Sequence, residues 1–370
     1  MKRKQMSDSV DANVNFSGCD LHYGSDQPAF NRNPTTTRSE TPRPISVNGK
    51  RMPVIDMHAH CQLSNIWPLV EGREELKGEN PYEGQLKETE NITVRLQHMD
   101  QMGTDLEVLS VGTEQHFPWA EYELARDIAI LQNETLTEVC AANSDRFVPL
   151  GVVSLQHPQL AADQLENSVK NLGHRGCMIT GNIMGQELSD TKFHPFWQKA
   201  EELDVVVFIH PRSPKSGQPR LQGRGFLTNM IGNPLETATA LAHLIYEGTL
   251  DRFPGLKIAA AHGGGYLPSY IGRFDHGHNS KDRGGRGLEK KKPSEYIKNL
   301  YFDTLVYGTQ NLEHLIKEVG VSQLMIGTDH DFGMTNRNAI AHLLSVEGLS
   351  EDDIKSITHG TAQRLFKVNI

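Results

Sequence analysis

The chain has 370 residues, 37% of them hydrophobic and 22% charged, a length at which roughly three-quarters of the unfolded surface is buried, so global disorder is excluded. Its 37 Lys and Arg against 46 Asp and Glu leave a formal charge of −9, which argues against nucleic acid or another long anionic polymer as the main partner. No apolar run approaches the roughly 20 residues that span a bilayer, and Cys19, Cys61, Cys140 and Cys177 are scattered without a CxxC pair; a reduced, cytoplasmic chain with no membrane partner is expected.

Residues 1–50 are polar and turn-rich, and NRNPTTTRSETPRP within them follows neither a helical nor a strand period. This stretch reads as an extended or partly disordered arm, suited to draping over a second subunit. Cys19, Asp20 and His22 lie inside it but make a weak metal signal. The first strand is expected at MPVIDMHAH, 52–60, followed by polar sequence to about 91 with KGENPYEG as a surface loop. A helix from Val94 to about Gly103 then leads to a strand at 105–111. The same rhythm continues through helix 120–142, strand 147–155, helix 158–172, strand 177–181, helix 192–203 and strand 205–210. Helix 234–247, strand 257–262, strand 300–304, helix 309–318, strand 323–329 and helices 337–345 and 351–366 complete it. Eight strands of continuous apolar character, separated mostly by helix-length segments, predict an α/β fold: a distorted (β/α)8 TIM barrel over residues 51–370. A doubly wound open sheet is the alternative, but no GxGxxG or Walker A segment follows any strand.

Polar residues fall at the carboxyl ends of those strands: His58 and His60 on the first, then His210, His262 and Asp329. A barrel brings such ends to one mouth, so groups as far apart as 329 − 58 = 271 positions share a pocket. In HAH the two imidazoles are two residues apart and point to one side of a strand. Seventeen histidines make coincidence easy, and a lone strand-end histidine is ordinarily a satisfied structural group; the recurrence at several strand ends is what carries the metal reading. A borderline ion such as zinc accepts imidazole and carboxylate together, which makes His58, His60, His210 and Asp329 the expected ligands.

With these residues in place, the chain from about 53 onward resembles the metal-dependent amidohydrolase superfamily, in particular the branch of aminocarboxymuconate-semialdehyde decarboxylase. The resemblance is carried by DMHAH at 56–60, MDQMGTDLEVLS at 99–110, RFVPLGVVSLQHP at 146–158, FIHP at 208–211, FPGLKIAAAHGGGYLPSYIGRFDHG at 253–277 and LMIGTDHDF at 324–332. It implies one divalent ion, usually zinc though manganese occurs, held by His58, His60, His210 and Asp329. His262 is implied beside the ion as a substrate-orienting or proton-handling group. The bridging lysine of two-metal relatives has no counterpart, since CMITG at 177–181 contains none. The implied reaction is nonoxidative decarboxylation of a small conjugated or aromatic acid, Asp329 delivering a proton to the carbon that loses CO2; hydrolysis of a small amide, ester or lactone is the alternative on the same residues. A homodimer or higher homo-oligomer is implied by analogy.

Departures from the branch bear on substrate. The strand-end histidine is followed by Pro211-Arg212 instead of proline-tryptophan, and His330-Asp331 stands where an aromatic-proline pair is usual. Arg212 is a candidate clamp for an acidic group of the small anionic substrate, and His116, in VGTEQHFPWAEY, a candidate polar contact. Glu114 and Trp119 of the same segment are weighed equally as pocket-lining residues and as a helical turn with Trp119 packed in the core, and Arg73 carries no recognisable flanking motif. Gly263, Gly264 and Gly265 let backbone run close to the pocket. RGGRG at 283–287 and KKK at 290–292 read as a solvated basic loop.

Overall fold

The computed structural model describes residues 14–16, 44–76, 92–212, 219–280, 287–330 and 332–370. Cys19, Asp20, His22, KGENPYEG and Asp331 therefore lie outside the described residues. Three short strands, β1 (Val14–Phe16), β2 (Ile45–Val47) and β3 (Lys50–Arg51), make a small antiparallel sheet. Ile45 and Val47 are buried in the main core, so β2 anchors this sheet to the rest of the molecule.

The remaining strands are β4 (Ile55–Cys61), β5 (Leu106–Val111), β6 (Phe147–Pro149), β7 (Gly151–Val152) and β8 (Gly176–Thr180), a two-stranded flap of β9 (Asn182–Ile183) and β10 (Gln186–Glu187), and then β11 (Val206–His210), β12 (Lys257–Ala260), β13 (Tyr301–Asp303) and β14 (Leu324–Met325). Two parallel sheets result, β4-β5-β6 and β7-β8-β11-β12-β13-β14. β6 and β7 are halves of the single strand expected at 147–155. Between them Leu150 donates its N–H to Leu109 at 2.9 Å, and the chain changes partner from β5 to β8. The other junction joins the first strand to the last: Asp56 bridges Ile326 and Ala59 bridges His330, both parallel, with Asp329 N donating to His58 O at 2.8 Å. Counted this way the ring has eight strands, and the expected distorted barrel is what the chain forms.

Side chains alternate across the ring wall. In β11, Val206 and Phe208 point into the barrel and Val207 and Ile209 out toward the helices, so His210 continues the inward row at the carboxyl end. The interior is closed from the other end by the last helix, whose Ala362, Leu365 and Phe366 pack against Ile55, Val108, Val206 and Phe208. Outside the wall, helices such as Pro158–Lys170, His194–Leu203 and Asn233–Tyr246 bury apolar faces on the strands.

Helix boundaries follow local chemistry. Pro158 occupies the first turn of its helix, where no N–H is needed. Ser350 caps Glu351–Lys355 in a capping box with Asp353. The continuous helix expected over 351–366 is instead three pieces, with a π turn at Ser356–Gly360 between Glu351–Lys355 and Thr361–Phe366. Ile357 O within that turn accepts from Ile326 N at 3.2 Å, a tertiary bond that a regular helix would not offer. Among the described residues no helix is long and apolar enough to cross a membrane, and Cys61, Cys140 and Cys177 are free and buried.

Candidate metal centre and active site

Inward alternation alone would turn the HAH histidines the wrong way, because Ile55 and Met57 of β4 point into the barrel. A bulge between Asp56 and Ala59 corrects this: Asp56 pairs with Glu107, but Ala59 pairs with Leu109, so β4 carries one extra residue. The bulge moves His58 and His60 to the inner face, with His60 opposite Ser110. Asp329 and His262 reach the same mouth by another route, each in the left-handed region at φ 60° and 56°. For residues other than glycine that conformation costs about 1–3 kcal/mol and persists only where the surroundings impose it.

The four expected ligands converge. One donor atom each from His58, His60, His210 and Asp329 lies within 4.8 Å of the others, and all four residues are buried. Asp329 Oδ1 is 3.3 Å from His58 Nε2 and 3.4 Å from His60 Nε2, while its Oδ2 faces His262 Nε2 at 3.8 Å. Tautomers follow from the partners. Asp303, an acceptor, receives a hydrogen bond from His58 Nδ1–H at 2.6 Å. Ser110 Oγ donates to Ala59 O at 3.1 Å and so accepts from His60 Nδ1 at 2.9 Å. Both Nε2 atoms are left facing the mouth. His58 Nε2, His60 Nε2, both ring nitrogens of His210 and Asp329 Oδ1 are buried with no hydrogen-bond partner. Orphaned donor atoms of this kind, three nitrogen and one oxygen around a common point, fit a divalent ion with a position left for a ligand.

Electrostatics agree. Burial holds His60 down at about 4 and His210 well below its ordinary value, so both rings are neutral. Burial also opposes charge on His58, but Asp329 and Asp303 on its two sides outweigh it and push the ring up to about 10. Asp329, despite burial, is held well below the carboxylate range by the surrounding imidazoles, His58 first. Two buried carboxylates therefore call for positive charge at this spot.

His116 follows β5 and donates its Nε2–H to Val111 O, 3.3 Å away. Burial first, and then the Arg212 guanidinium, bring its ring down to about 4, so the two expected substrate contacts share one side of the mouth. His116, Pro118, Val153, Leu155, Ile179 and Thr180 line a mostly apolar pocket, and Thr180 is the register partner of His210. Trp119 packs against a satellite apolar cluster with its ring 5.7 Å from Phe117. Arg73 is exposed.

Several buried groups were not picked out from sequence. Asp303 accepts from His58 and from two N–H groups of the His262 turn. Glu236, on helix Asn233–Tyr246, accepts from Arg212 N at 3.0 Å, and burial pushes its carboxyl up to about 7. A Cβ at Gly181 would sit 2.9 Å from Glu236 Cγ, so glycine there admits the carboxylate. Beneath the ligands, Glu107 pairs with Arg95 at 2.7 Å and His330 at 2.6 Å, while Arg95 donates to His60 O at 2.7 Å. The usable signal for Asp303 was alternation: in LYFDT it shares the inward face with Tyr301.

A parallel (β/α)8 barrel with three histidines and an aspartate at its carboxyl mouth defines a single-site metal-dependent enzyme of the TIM-barrel type. The family model described as Amidohydrolase matches residues 55–368, and the chain belongs to that family. It is 30% identical over 269 residues to 2-amino-3-carboxymuconate-6-semialdehyde decarboxylase of Dictyostelium discoideum, covering 73% of this chain and 74% of that one. With gamma-resorcylate decarboxylase of Polaromonas sp. the identity is 31% over 287 residues, covering 74% and 87%. Among solved structures, 5-carboxyvanillate decarboxylase from Sphingomonas paucimobilis aligns with a TM-score of 0.79 at 25% identity over 86% of this chain and 100% of that one. A dihydroxybenzoic acid decarboxylase from Polaromonas sp., solved with bound manganese and the inhibitor 2-nitroresorcinol, aligns with a TM-score of 0.73 at 27% identity over 86% and 98%.

Proposed function

We propose that the chain is a metal-dependent nonoxidative decarboxylase, a carboxy-lyase, acting on a small aromatic or conjugated carboxylic acid. The observation that carries this is that the curated and structural relatives above are decarboxylases. His58, His60, His210 and Asp329 are the proposed ligands of one divalent ion. Three imidazoles and one carboxylate suit zinc, with manganese, the ion of the Polaromonas structure, as the other candidate. When bound, the ion supplies Lewis acidity toward the acid's oxygens and stabilises negative charge as it develops.

The residues divide the remaining work. Asp329 Oδ2, on the His262 side, is the proton relay: as the C–C bond to the carboxyl group breaks and CO2 leaves, the electron pair left on the ring carbon takes a proton that reaches Asp329 from His262, so the carboxylate is ionised between turnovers. His262 orients the acid and returns a proton to Asp329. Arg212 offers charge to an anionic substituent, and neutral His116 offers a hydrogen bond. On this reading residues 51–370 are the catalytic unit, 1–50 an arm, and the working assembly a cytoplasmic homodimer.

The test is to supply metal-reconstituted protein with a panel of acids, including 2,6-dihydroxybenzoate and 5-carboxyvanillate, and to follow CO2. Release of CO2, deuterium at the vacated carbon in D2O, and loss of turnover on chelation or in His210→Ala are expected. A product that keeps its carboxyl group and gains oxygen from water would sink the decarboxylase reading in favour of a hydrolase.

A further inference from the structure

We propose that Asp303 is a positioning residue of the metal centre: its ionised carboxylate sets the tautomer of His58 and clamps the turn that carries His262. The proposal rests on reading His58, His60, His210 and Asp329 as an ion site. Asp303 is fully buried at the end of β13. Its Oδ2 accepts from His58 Nδ1 at 2.6 Å and from His262 N at 2.8 Å, and its Oδ1 from Gly263 N at 2.8 Å and Leu305 N at 3.0 Å. Four donors on two oxygens match the acceptor capacity of an ionised carboxylate and exceed that of a carboxamide.

Two consequences follow from one side chain. Because a carboxylate only accepts, Nδ1 keeps its proton and Nε2 is the atom aimed at the other three donors, the arrangement by which outer carboxylates orient metal-binding histidines. The same charge anchors a turn whose four residues all have positive φ: His262 at 56°, Gly263 at 60°, Gly264 at 77° and Gly265 at 64°. Space for the pairing is left by Gly327, where a Cβ would lie 2.5 Å from Asp303 Cβ and 3.0 Å from His58 Cβ. Asp303 thus ties β4, the turn after β12 and the segment after β13 to one charge.

Asp303→Asn is the discriminating variant. It is nearly isosteric, but whichever way the amide turns, its NH2 meets two N–H donors. The full-length chain, stripped of metal, is titrated with Mn2+ by calorimetry, with circular dichroism and urea unfolding to establish the fold. The expected result is Mn2+ binding weakened roughly 10–100-fold in folded Asp303→Asn. A purely structural role would lower the unfolding midpoint and leave the Mn2+ affinity of the folded protein where it was. Gly327→Ala, which crowds the carboxylate without removing it, supplies the same reading should Asp303→Asn fail to fold. Mn2+ affinity within about twofold of wild type in the folded variant overturns the proposal; a wild type that binds no Mn2+ instead defeats the ion reading on which it rests.

Discussion

Left-handed backbone at Asp329 and His262 shows how single residues are held against their own preference to complete this site. Gly263 and Gly264 continue the turn after His262 where no side chain fits, since a Cβ at Gly264 would lie 2.6 Å from the Phe302 ring and one at Gly263 2.5 Å from Val306. Glu236 is a second case of a residue kept in an unfavourable state. Its folded carboxyl is pushed up to about 7 from 4.5, chiefly by burial, so between those pH values the folded protein holds a proton that the unfolded chain has released. Stability contributed at this position is therefore greatest at low pH, falls as pH rises from about 4.5, and is fully lost above about 7. Glu236→Gln keeps an oxygen for Arg212 N and removes the titration. Urea unfolding from pH 4.5 to 8 should show wild type losing of order 2 kcal/mol relative to Glu236→Gln; parallel profiles would rule this out.

Among the elements, β8 depends on a contact that only glycine allows. Gly176 has φ 144°, and a Cβ there would run into the Val206 carbonyl of β11. Gly176→Ala should therefore cost about 3 kcal/mol or more, seen as a lowered midpoint in thermal unfolding. The elements themselves were largely legible. Runs such as VVVFIH and KIAAAH are too apolar for anything but strands covered on both faces, and the polar residue closing each one marks the barrel mouth. What sequence could not carry is register. HAH at two-residue spacing places its histidines on one face of β4, but which face is decided by a one-residue bulge against β5, and no residue type in IDMHAHC announces it. Asp303 was passed over for a related reason: its importance lies in four donors supplied by residues from His58 to Leu305, none of which is a neighbour on the same strand face. The split of 147–155 at Leu150 and the π turn at Ser356–Gly360 are likewise set by partners distant in the chain.

At the scale of the whole molecule, the barrel is plugged at its amino end by the last helix. Phe366 is fully buried against side chains of the strand ring, so Phe366→Ala, far from the ligands, should destabilise by about 3–5 kcal/mol in urea unfolding while leaving metal affinity of the folded protein unchanged. Loss of metal affinity without loss of stability would show that plug and mouth are coupled through the ring. The junction of β4 with the segment after β14 has a further consequence for biosynthesis. His58 leaves the ribosome 271 residues before Asp329, an interval on the order of 15–50 s at ordinary elongation rates. Throughout it HAH exists without Asp329. Only when the segment after β14 docks on β4 do the donors from both ends of the barrel sequence meet, so an ion held by the proposed ligand set could be bound only after that docking.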